Sequence, residues 1–286
     1  MPSAPNPVAG LRARLIGVVR RTFNDQDKGE TPVQRSDDAL FARDSVTWRV
    51  HGDVTTMMVG GVASLLLQML HPAVLAGVWD HSAFRTDMLG RLRRTARFIA
   101  VTTFAERGSA EAAIAKVREV HERIGGTLQD GTPYRADDPD LLAWVHVTEM
   151  WCFLAAWQRY GVPLTPAQED IYFAETARIA EALGADPVPR SKAEAEALIA
   201  RMRPQLAVDA RTREVAHFVL AQPAPNLAVA PAQAAIFAAA VDLLPSWARA
   251  MHDLKRPLVA VPLVRGSTLA IARTFRWAFG AGVGSR

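Results

Sequence analysis

Apolar residues recur at steps of three and four almost from end to end of this chain, and no run alternates apolar with polar over five positions. A period near 3.6 buries one stripe of a helix, whereas a half-buried strand needs a period of two. The pattern therefore predicts an all-α protein, a single helical domain of about ten helices divided by glycine and proline. No self-similar repeat is visible. A chain of 286 residues is long enough to bury a core of its own. We expect a basic helix and loop over residues 1–40 and one helical domain over 41–286. The hydrophobic fraction of 50% and mean hydropathy of +0.05 suit alanine-rich apolar helices around an internal cavity.

Several function classes drop out early. The 33 basic residues nearly balance 29 acidic ones, and no long single-sign block occurs, so no nucleic-acid partner is indicated. Cys152 is the only cysteine, which excludes an intramolecular disulfide or a paired-cysteine metal knuckle. Residues 54–70 are the most apolar stretch, but Thr55, Thr56, Ser64 and Gln68 favour a buried core helix over a membrane span. Within it, Gly60 and Gly61 permit close approach of another helix or of a flat ligand. Near the N-terminus the apolar run 15–19 stops at Arg20 and Arg21, too short for a signal sequence, so a cytoplasmic location is expected. That segment reads either as a basic amphipathic helix in peripheral contact with a membrane or as a packed terminal helix. The usual nucleotide, hydrolase and zinc-protease motifs are missing, and one ExxH (Glu214, His217) lacks the second copy a di-iron site needs.

What remains is a pair of helical segments, expected over 87–105 and from Ser109 as N-cap to the Gly125-Gly126 pair. On the first, Arg91, Arg94, Thr95 and Phe98 share a face. A guanidinium is almost never buried alone, so this face is solvated or meets an anion. On the second, Ile114, Val117, His121 and Ile124 form an apolar stripe with one imidazole in it, either a packed core histidine or a ligand. The two helices are expected to wall one pocket. His71 stands at a helix break before Pro72, as a cap or as a pocket residue. The segment 130–140 reads as turn, and on the helix expected over 141–160 His146, Glu149, Met150 and Phe153 share a face. Glu149 could act as a base or sit in a structural ion pair. A haem b would answer both peculiarities, since its iron takes a histidine and its propionates take cations.

The motif series GGVASLLLQMLHPAVLAGV (60–78), RLRRT (91–95), VREVHERIGG (117–126) and DGTPYRADDPDLLAWVH (130–146), with LLPSWAR (243–249) more loosely, resembles the MpaB-type oxygenase family, which includes the bacterial rubber oxygenases. The resemblance implies a globin-like core binding haem b and dioxygen-dependent oxidation of a small or medium-sized hydrophobic substrate. It implies His121 as the proximal iron ligand, Arg91 as partner of a propionate, Arg94 and Thr95 as catalytic groups on the oxygen side, and His71 and His146 as further cofactor-pocket residues. Arg94 stands where rubber oxygenases carry lysine. Guanidinium stays protonated and has no lone pair to give iron, so Arg94 is expected to bind a propionate or donate hydrogen bonds, and rubber is set aside as the substrate. A haem-binding sensor or carrier without turnover, or a helical interaction protein without haem, would carry the same residues. The sequence is silent on oligomeric state.

Overall fold

The computed structural model describes residues 7–25, 29–224, 226–255 and 260–280; residues 26–28 of the expected N-terminal loop lie outside the described residues. Among these are thirteen α-helices, one short 3-10 turn and a two-stranded ribbon, so the domain is all-α as expected.

Two helices form the centre. Asp53 opens α3 (Val54–Gln68) by accepting a hydrogen bond from the Thr56 N–H at 2.9 Å, and Asp138 opens α7 (Pro139–Tyr160) in the same way, with a proline in the first turn where no donor is lost. They pack along most of their lengths. A Cβ on Gly60 would lie 2.9 Å from both the Cys152 carbonyl and the Phe153 Cα, so the glycine lets the two backbones touch. Of the two uses expected for this pair, the structure realises helix approach.

Around this centre, α11 (Ala230–Leu243) and α13 (Val261–Phe279) cover α3, while α8 (Pro166–Leu183) and α9 (Lys192–Met202) cover α7. A short helix, α2 (Val46–His51), wedges between α8 and α5 (Met88–Phe104). After α3 the chain bends by 104° into α4 (Pro72–His81), because Pro72 cannot extend the preceding helix. No single described helix is long and apolar enough to cross a membrane. The bent α3–α4 pair reaches that hydropathy only as two pieces.

Two expectations at helix ends are corrected. The sixth helix, α6 (Arg107–Glu122), begins before Ser109, with Glu106 at its N-cap making no side-chain cap bond. It also ends before Gly125-Gly126. Those glycines lie in β1 (Gly125–Thr127), paired antiparallel with β2 (Pro133–Arg135), so part of the segment expected as turn is a small ribbon. A Cβ on Gly126 would fall 2.8 Å from the Tyr134 hydroxyl; the glycine serves the ribbon, not the helix end. The remaining helices are α10 (Ala210–Leu220), α12 (Ser246–Met251) and α1 (Pro7–Phe23). The last packs on α13 and on α5, where the Arg93 guanidinium donates to the Thr22 and Arg21 carbonyls at 2.9 and 2.8 Å.

Candidate functional site

Helices α5 and α6 are joined through Ala105 and Glu106 and pack on each other. The start of α5, with Arg91, Arg94 and Thr95, and the end of α6, with His121, therefore lie at the same end of the pair.

Arg91 is the unusual member. Its aliphatic stem runs among Leu65, Met69, Phe84, Met88, Val215 and Val219, and its guanidinium donates to the Ser82 hydroxyl at 3.0 Å. No carboxylate pairs with it among the described residues. Burial, and then the Arg94 charge, lower its pKa to about 10, so it stays a cation at neutral pH. The space these side chains enclose is about 10 Å³, room for about one water. Arg94 and Thr95 are exposed: Arg94 meets Asp87 at 3.3 Å, and the Thr95 hydroxyl donates to the Arg91 carbonyl at 3.3 Å. Phe98 turns towards a separate cluster with Phe41, Ile114 and Ile179.

His121 is half-buried, and its ring makes no hydrogen bond among the described residues; Nδ1 is buried without a partner. Burial lowers its pKa, opposed in part by the Asp137 carboxylate, which favours the neutral ring that can offer a lone pair. Of the expected stripe only Ile114 is fully buried, while Val117 and Ile124 are half-exposed. His71 occupies the N-cap position of α4 without capping it. Its Nε2 meets Gln205 Oε1 at 3.3 Å and its buried Nδ1 has no partner, and the ring lies against Trp144.

His146 and Glu149 face a second buried polar region. His146 makes no hydrogen bond among the described residues, its Nε2 is buried, and burial lowers its pKa to about 4. The Glu149 side chain, part of which still reaches the surface, has no ion pair among the described residues, and burial pushes its carboxyl up to about 7. Beside them lies a network absent from the sequence reading. The fully buried His51 ring contacts the Thr103 hydroxyl through Nδ1 and the Tyr172 hydroxyl through Nε2, each at 2.8 Å. Burial and then the His146 charge lower the His51 pKa to about 3. His51 closes a six-residue helix, too short to show periodicity, and its partners are 52 and 121 positions away; nothing local in the sequence announces it.

The donor set suits a haem. His121 is an imidazole without a partner among the described residues, and Arg91, on the neighbouring helix, is a cation without a carboxylate over an apolar lining; that lining includes no residue of α6, so the expected pocket walled by both helices is not formed here. A macrocycle seated there has to displace side chains that now close around about 10 Å³. Among the described residues no cluster of three or more His, Cys, Asp or Glu could hold a bare metal ion. A cavity of about 270 Å³ lies elsewhere, between α10, α11 and the start of α13, and none of the candidate residues line it.

Among curated proteins and among solved structures, comparison finds no match to this chain. One family model does match, and it spans residues 48–278, from the second helix to the last turn of α13, taking in Arg91, His121 and both buried polar regions. The chain thus belongs to the family described as the ER-bound oxygenase mpaB/B′ and rubber oxygenase catalytic domain.

Proposed function

We propose that this protein is a haem b-dependent oxygenase acting on a small or medium-sized hydrophobic molecule with dioxygen. Membership of an oxygenase family supplies the reaction class. The observation that carries the haem is the half-buried, hydrogen-bond-free His121 at the same end of a helix pair as Arg91, a cation facing apolar side chains with no carboxylate partner.

His121 would hold the iron through a ring nitrogen, and its lowered pKa favours the unprotonated ring that ligation needs. Arg91 neutralises a propionate, the anion its surroundings lack. Arg94 and Thr95, one turn further along, would supply hydrogen-bond donors to substrate; freeing them requires Arg94 to leave Asp87 and the Thr95 hydroxyl to leave the Arg91 carbonyl. Haem, when bound, supplies the one-electron and dioxygen chemistry that none of these side chains can perform.

The test is the absorption spectrum and pyridine haemochrome of protein expressed with ample haem, followed by oxygen uptake with hydrophobic substrates. Near-stoichiometric haem b is expected, falling at least tenfold in His121→Ala and keeping its stoichiometry in Thr95→Ala. A folded protein without haem, or His121→Ala with an unchanged spectrum, would sink the reading. Haem without any substrate-dependent oxygen uptake would point to a carrier or sensor.

A further inference from the structure

We propose that the two terminal helices, α1 and α13, form a docking face for an anionic lipid bilayer. The first observation is charge. The two helices hold seven arginines, at positions 12, 14, 20, 21, 265, 273 and 276, and no aspartate or glutamate. The whole sequence carries only four positive charges in excess, so everything outside this pair is net negative by three. Part of this charge serves the fold through ion pairs, and the remainder, held on two helices without a carboxylate, is the footprint expected of an anionic partner.

The second observation is apolar exposure on the same helices. Of the ten exposed large hydrophobic residues described, five lie here: Val8, Leu11, Leu263, Trp277 and Phe279. Leu263, in the first turn of α13, is 74% exposed among the described residues. Along α13 the exposed positions 263, 266, 270, 273, 274 and 277 follow helical spacing and make one face, bordered by 262, whereas the exposed positions 265 and 279 fall outside it. Arg12 joins the two helices. Its Nε donates to the Ala278 carbonyl at 3.1 Å and its guanidinium lies 5.7 Å from the Trp277 ring centre, which ties the start of α1 to the end of α13.

The arginines divide by role. Arg276 pairs with Asp53, Arg265 with Asp242, and Arg12 with the end of α13. Arg14, Arg20, Arg21 and Arg273 are exposed and make no ion pair among the described residues. Exposed aliphatic and aromatic groups interleaved with unpaired cations match a headgroup layer over acyl chains. A second copy fits poorly, because a symmetric contact would set the four exposed arginines without an ion pair against the same four. Nucleic acid gives Leu263 and Leu11 nothing to bury against. Because Arg93 ties the end of α1 to α5, docking would also bring the start of α5 towards the bilayer; a substrate route from it rests on the oxygenase reading, whereas docking does not.

The test is co-sedimentation of the full chain with vesicles of phosphatidylcholine alone and with about one-third phosphatidylglycerol added. Binding is expected only to the anionic vesicles and is lost as salt rises from about 0.1 M to about 0.5 M. Arg14→Glu/Arg20→Glu/Arg21→Glu should weaken it at least tenfold, each cation near such a surface being worth about fivefold. Leu263→Asp, at a position that contributes nothing to the core, should weaken it as well while leaving the circular dichroism and melting temperature unchanged. No sedimentation with anionic vesicles at low salt overturns the proposal, as does equal binding by Leu263→Asp. A wild-type dimer that Leu263→Asp converts to monomer would overturn it in favour of a second copy. Each readout is independent of haem content.

Discussion

At the scale of single residues, Glu149 is the carboxylate furthest from its ordinary state. Burial raises its pKa to about 7 with no cation to oppose it. The folded protein therefore holds a proton on Glu149 between about pH 4.5 and 7 that the unfolded chain has released, so this residue's contribution to stability is present below that window and is lost as pH rises through it. His51 and His146 act in the opposite sense. Their folded pKa values of about 3 and 4 leave them neutral where the unfolded chain takes up protons, so their contribution is complete above about pH 6.5 and declines as pH falls. Glu149→Gln should accordingly raise stability by about 1–3 kcal/mol at pH 8, discounted for the partial exposure of the side chain, and change it little at pH 4.5. Urea unfolding at the two pH values checks this; an equal effect at both would mean that Glu149 is an ordinary solvated carboxylate. The spacing of His146 and Glu149 along one helix made the pair legible in the sequence. The His51–Tyr172 contact was not, because it joins helices far apart in the chain.

At the scale of elements, the α3–α7 contact shows how much a local pattern tells. Two adjacent glycines in an apolar helix promise close approach but not which of them makes it. Gly60 does: a methyl there would meet Phe153 Cδ1 at 2.8 Å and the α7 backbone at 2.9 Å. At Gly61 the nearest atom is Phe153 Cε1 at 3.8 Å, ordinary van der Waals contact. Gly60→Ala must push two backbones apart and should cost about 2–3 kcal/mol, whereas Gly61→Ala should be neutral or stabilise by up to about 1 kcal/mol through helix propensity. Thermal unfolding of the two variants side by side separates them, and equal melting temperatures would contradict the contact. Helix starts were legible where a side chain caps them, as at Asp87, whose carboxylate accepts from the Gly90 N–H at 2.8 Å. The start of α6 was misplaced because Glu106 offers no side-chain cap, while Ser109 has the chemistry of a cap but lies inside the helix. The Gly125-Gly126 pair misled for a related reason: a glycine needed beside Tyr134 looks the same in sequence as one needed to end a helix.

At the scale of the whole molecule, periodicity could show that α13 exists but not what holds it against a centre begun two hundred residues earlier. Much of the answer is one buried ion pair. Arg276 Nε lies 2.6 Å from Asp53 Oδ2 and its Nη2 donates to the Tyr160 carbonyl at 2.8 Å, so one guanidinium closes the last helix over the start of α3 and the end of α7. Asp53 caps α3 with its other oxygen, so the same carboxylate serves a local and a long-range contact. Side-chain exposures of 17% for Arg276 and 7% for Asp53 place the pair out of water, where losing one partner leaves a charge that nothing solvates. Arg276→Met should therefore cost about 3 kcal/mol. The double variant Asp53→Asn/Arg276→Met tests the reason. Asparagine keeps an oxygen that can accept from the Thr56 N–H while removing the stranded charge, so the double variant should recover much of the loss, with a coupling on the order of 1–3 kcal/mol in urea unfolding. If the two substitutions simply add, the loss in Arg276→Met comes from the packing of its stem against α3 and α7, and the charge on Asp53 is solvated despite its burial.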